Sequence, residues 1–150
     1  MNTPKFPAGL ALCLLAMATV PSIAVRAESA SVTGVLILAT DEAGHTDAKL
    51  KLYEPTLRRL FKFQGYEQIG RSRTSMEVPG AGVLNFGNEK LLIETTGNGN
   101  GSIRAKVRWR RGNRTMINTT VQMRPGVPTI LGGPKQAGGK GNLIVVLVAD

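Results

Sequence analysis

One stretch of this chain alternates so strictly that it leaves little choice of local structure. Between Ile103 and Arg110, apolar Ile103, Ala105, Val107 and Trp109 take every second place, and Arg104, Lys106, Arg108 and Arg110 take the others. A strand points successive side chains to opposite faces, whereas a helix would scatter this pattern around its circumference. The stretch therefore predicts a strand with one apolar face and one row of cations. Arg111-Gly112-Asn113 interrupts it. Beyond Arg114, Ile117, Thr119, Val121 and Met123 alternate with Asn118, Thr120, Gln122 and Arg124. Two such runs around a glycine predict a hairpin.

The register follows from burial. A two-residue Gly112-Asn113 turn would pair Val107 with Asn118, setting the apolar row of one strand beside the polar row of the next. One more loop residue pairs Val107 with Ile117, and both apolar rows then share a face. A one-residue slip exchanges faces, so the expected loop is Arg111-Gly112-Asn113, with Asn113 left-handed. Its outer surface carries Arg104, Lys106, Arg108 and Arg110 beside Met116, Asn118 and Thr120.

The excess charge of the chain concentrates here. The 150 residues carry a formal net charge of +9, and residues 104–124 hold seven cations and no acid. A local basic surface attracts phosphates, anionic lipid, acidic glycan and acidic protein alike. The first residues bear on which of these it meets. Lys5, the apolar run Ala8 to Val20 and the small residues of Val25-Arg26-Ala27 have the form of a secretory signal peptide, its apolar run too short for a bilayer span. Cleavage after Ala27 is expected, leaving residues 28–150 as one exported domain, periplasmic or extracellular. Export lowers nucleic acid among the partners. Cys13, the one cysteine, leaves with residues 1–27, so the domain has no disulfide, thiolate ligand or thiol nucleophile. An exported domain without disulfides fits a bacterial envelope better than an animal secretion.

The rest of residues 28–150 reads mostly as strand and turn. Val35-Leu36-Ile37-Leu38-Ala39 and Leu143 to Ala149 are apolar without alternation, as strands buried on both faces are. Ala48 to Phe63 contains the one helix, with Pro55 in its first turn, Leu57, Leu60 and Phe61 on one stripe, and Gly65 as its stop. Tyr66 to Val78 is extended, Pro79 to Gly82 turns, Val83 to Phe86 and Lys90 to Thr96 are strands, and Gly97 to Gly101 is a mobile link. Val127 to Leu131 is a strand and Gly132 to Gly141 a loop. The expected fold is a β-rich α+β domain, with one helix packed on a bent or sandwich-like antiparallel sheet.

Catalytic constellations are hard to assemble. His45, the single histidine, lies among Asp41, Glu42 and Asp47. One imidazole without cysteine is a poor ligand set for a metal, and Asp47 is placed to cap a helix start. Gly133 to Gly141 resembles a phosphate loop only in glycine content: Gly141 stands where Ser or Thr should follow the lysine, and a strand comes next instead of a helix. No enzyme activity, metal or cofactor is expected.

Residues 118–150 resemble the closing strands of bacterial secretins, the outer-membrane pores of secretion systems. The likeness rests on Thr120-Val121-Gln122-Met123, the turn Pro125-Gly126, Thr129-Ile130-Leu131-Gly132-Gly133 and the apolar strand Leu143 to Ala149. Pro134 departs from the apolar residue usual after the Gly-Gly pair, and the chain is too short for a pore with its ring-building modules. The resemblance implies a hairpin and an envelope setting, not a pore. The expected function is a non-catalytic binding or structural module of the bacterial envelope. Arg104, Lys106, Arg108 and Arg110 would meet an anionic envelope component or acidic protein, with peripheral membrane contact a further option. The rival expectation is an assembly component that exchanges a strand at a sheet edge. Sequence assigns no oligomeric state.

Overall fold

A computed structural model describes residues 28–42 and 44–150, so the expected signal peptide lies outside the described residues. The chain order is β1 (Glu28–Thr40), a 3-10 turn (Ala48–Leu50), α1 (Glu54–Leu60), β2 (Gly65–Val78), β3 (Gly80–Phe86), β4 (Glu89–Gly99), β5 (Ser102–Arg111), β6 (Arg114–Met123), β7 (Thr129–Lys135) and β8 (Asn142–Ala149). These strands form two antiparallel four-stranded sheets, one ordered β2-β1-β8-β7 and the other β3-β4-β5-β6. The fold is β-rich α+β.

The two unalternating apolar runs occupy the middle of the first sheet, as their composition predicts. β1 lies between β2 and β8, and β8 between β1 and β7. Alternate residues of each enter different cores. Val32, Leu36, Val145 and Leu147 join Leu91, Val107 and Trp109 of the second sheet in one cluster. Val35, Ile37, Ile144 and Val146 join Leu50, Leu57 and Tyr66 in another, under the helical segment. Tyr66 anchors that cover through its hydroxyl, which donates to the carbonyls of Leu57 at 3.2 Å and Phe61 at 3.1 Å. Burial raises the pKa of this phenol.

Several boundaries differ from expectation. The helical region is split: Asp47 accepts from the Lys49 amide at 3.0 Å and caps a short 3-10 turn, and α1 starts afresh with Pro55 in its first turn. It ends at Leu60 and not at Gly65, because Phe61 is already extended and Gly65 opens β2. Leu60 does not line the buried stripe; it is 54% exposed. Pro79 alone separates β2 from β3, so the expected four-residue turn is mostly strand. β4 runs on through Gly99, leaving Asn100-Gly101 as the turn, and β7 runs through Gly132 and Gly133 to Lys135. Pairing to a neighbouring strand satisfies backbone groups that composition alone assigned to loops.

The hairpin register is the most informative difference. The turn is the two-residue one: Arg111 pairs with Arg114, and Gly112, not Asn113, takes positive φ, at 54°. A bulge then restores the apolar match. Arg110 faces Thr115 and Trp109 faces Ile117, so Met116 is the extra residue. From there Val107 opposes Thr119, Ala105 opposes Val121 and Ile103 opposes Met123. Both apolar rows share a face as burial demands, but through a bulge in β6 and not a third loop residue, so Val107 meets Thr119 and not the expected Ile117.

Candidate functional site

The second sheet turns one side to the shared core and the other outward. On β5, Ile103, Ala105, Val107 and Trp109 are buried, while Arg104 and Lys106 are exposed and Arg108 and Arg110 half-buried. The row expected from alternation is thus gathered on one face of one strand. Same-face neighbours on a strand lie about 7 Å apart, within a Debye length of roughly 8 Å at physiological salt, so their potentials sum.

The neighbouring strands modify that row in ways alternation in β5 did not reveal. Lys90 on β4 is paired opposite Arg110 and extends the cationic area sideways. Glu94 on β4 is paired opposite Lys106, but its carboxylate takes an ion pair from Arg108. Arg110 donates to the Asn113 carbonyl at 3.2 Å, across the turn. Arg104 and Lys106 have no ion pair among the described residues. The accessible positive charge therefore centres on these two, with Lys90 and Arg110 beyond. Lys90 and Glu94 were legible in principle, since Leu91 and Ile93 point inward and their neighbours must point outward.

Arg111 belongs to a different environment. It follows Trp109 on the core-side parity of β5 and forms an ion pair with Glu89, its partner on β4. Glu89 is buried and also accepts from the Trp109 indole N–H at 2.6 Å. The Arg111 guanidinium donates further to the Lys135 carbonyl of β7 at 2.8 Å, tying the second sheet to the edge of the first. This arginine is structural.

His45 is exposed beside an open cleft of about 320 Å³ that Leu38, Asp47, Tyr66 and Glu67 also line. Asp47 is engaged as the cap already described. Among the described residues no group of three or more His, Cys, Asp or Glu side chains is placed to hold a metal ion. The glycine-rich segment closes the β7–β8 hairpin, with the Gln136 amide donating to the Gly141 carbonyl at 2.8 Å. No helix among the described residues is long and apolar enough to cross a membrane.

Comparisons with protein-family models, curated proteins and solved structures gave no match.

Proposed function

We propose that this chain is a non-catalytic, exported module of the bacterial envelope that presents the outer face of its second sheet to an anionic partner. We read the two sheets as stacked in a sandwich, which leaves that face free. The observation that carries the proposal is the gathering of Arg104, Lys106 and Arg110 with Lys90 on one outward surface, where Arg108 alone has an ion pair among the described residues. Arginine-rich, one-sided charge favours carboxylate and phosphate groups over a merely solvated surface.

A soluble acidic polysaccharide such as alginate is the test ligand. Arg104→Ser/Lys106→Ser should weaken binding several-fold and flatten its salt dependence. Glu94→Gln should strengthen binding, because it releases Arg108. Arg59→Ser/Lys62→Ser removes equal charge elsewhere and should have little effect. Equal losses from both double variants refute the proposal in favour of net charge alone.

A second reading is strand exchange at β6. This strand ends its sheet, and Thr115 to Met123 contains no charged residue and no proline, the usual protections of an edge. The secretin resemblance of residues 118–150 points the same way. Oligomers that grow with concentration and persist in high salt would favour it over the basic face.

A further inference from the structure

The helical cover of the first sheet has an outer surface that neither core uses. Leu52 is 81% exposed and Leu60 is 54% exposed. Single exposed leucines are ordinary on protein surfaces. These two lie within one short stretch that also exposes Lys49, Lys51, Arg58, Arg59 and Lys62. Its single acid, Glu54, is held by Arg58 at 2.8 Å and by the Thr46 hydroxyl at 2.9 Å. Arg58 is further occupied over the Tyr66 ring, 5.8 Å from its centroid. Lys49, Lys51, Arg59 and Lys62 have no ion pair among the described residues. The stretch thus combines projecting leucines with cations that outnumber its one acid.

We propose that this helical segment docks on an anionic lipid bilayer, with Leu52 and Leu60 entering the boundary between headgroups and acyl chains. A bilayer offers an anionic layer with apolar chains directly beneath it, which matches projecting leucines flanked by cations. A soluble anion gains nothing from an exposed leucine. The buried face of the same segment, Leu50 and Leu57, is committed to the core under it, so docking requires no unfolding. This surface covers the first sheet, whereas Arg104 and Lys106 project from the second. The proposal does not rest on the basic hairpin face.

The test uses the chain from Glu28 onward, which contains every strand of both sheets and both core clusters. Residues 1–27 are left out because their apolar run would bind lipid by itself. Vesicles of equal parts phosphatidylglycerol and phosphatidylcholine should sediment the protein, and pure phosphatidylcholine should not. Leu52→Ser/Leu60→Ser should reduce binding by about tenfold or more with an unchanged thermal melt, since both side chains are exposed in the free protein. Arg104→Ser/Lys106→Ser should leave a leucine-dependent component. In a second measurement, Leu52→Trp should be quenched by brominated lipid, while the buried Trp109 provides an unquenched reference. Undiminished vesicle binding by the double-leucine variant, or no quenching at position 52, overturns the proposal. Leucine-dependent binding to soluble polyglutamate without quenching by lipid also overturns it, in favour of an acidic protein.

Discussion

Gly133→Ala should be one of the most damaging single-methyl additions in this protein. Gly133 lies on β7 against the ring of Trp109, and a Cβ there would come within 2.4 Å of two ring carbons and 2.7 Å of the Leu143 carbonyl oxygen. The carbonyl is backbone of the central strand β8, so the ring would have to yield. Yielding moves the indole N–H off Glu89, whose carboxylate also holds Arg111. Overpacking of this kind costs about 1–3 kcal/mol. Leaving a buried donor or acceptor unpaired costs about 1–3 kcal/mol more. A combined loss of roughly 2–6 kcal/mol lowers the melting temperature by about 6–24 °C in a domain of this size. The assay is a thermal melt followed by circular dichroism and by tryptophan emission. Trp109 is the only tryptophan, so its emission reports on the perturbed site itself. Gly132→Ala is the control: its Cβ meets only the half-buried Phe61 ring, at 3.2 Å, and should cost under about 1 kcal/mol. A Gly133→Ala protein that melts within about 2 °C of wild type, with unaltered emission, refutes the reasoning.

Other consequences are as direct. Val107→Asp should prevent folding, because it buries an unpaired carboxylate in the shared core, while Lys106→Ser should leave the melt nearly unchanged; the opposite order would invert the assigned faces. Deleting residues 143–150 removes a strand that pairs with both β1 and β7, and circular dichroism should show no cooperative unfolding; a cooperative melt would make β8 dispensable. Burial raises the folded-state pKa of Tyr66 above its unfolded value, so its contribution is fully present below about pH 10 and is lost as pH rises through the raised value. Tyr66→Phe should therefore show a smaller alkaline loss of stability than wild type in denaturant titrations, and matching slopes would count against that assignment.

The faces of β5 were legible because alternation is a property of the strand itself: Val107 must point away from Lys106 whatever surrounds them. The centrality of β1 and β8 was legible for a similar reason, since a run such as Val35-Leu36-Ile37 needs cover on both sides. The position of the extra hairpin residue was not. Burial demands only that the two apolar rows share a face, and a third loop residue, which would pair Val107 with Ile117, and a bulge at Met116, which pairs it with Thr119, both achieve that. The end of the helix was also hidden. Gly65 looks like a stop, yet Tyr66 draws the chain into β2, and its hydroxyl meets the carbonyls of Leu57 and Phe61. At the basic face, the row itself could be read from β5 alone. Its neutralisation at Arg108 depends on which β4 residue comes alongside, and that is a matter of long-range pairing.

The pairing of β1 with β8 also sets an order of events for the growing chain. Val32 lies opposite Ala149 and Leu36 opposite Val145, and the Ser31 and Asp150 backbones exchange hydrogen bonds at 3.1 and 2.8 Å. The β1–β2 pair and the whole second sheet can assemble before β8 is made, but the centre of the first sheet waits for β8 to be synthesised. Until then β1 offers Val35 to Ala39 along an open edge, an uncharged and strongly apolar segment of the kind that pairs with other chains. Contacts this distant also slow folding, because the loop must close before they reward it. Through that stage an extended apolar strand stands with one edge unpaired, open to other chains and to a holding chaperone.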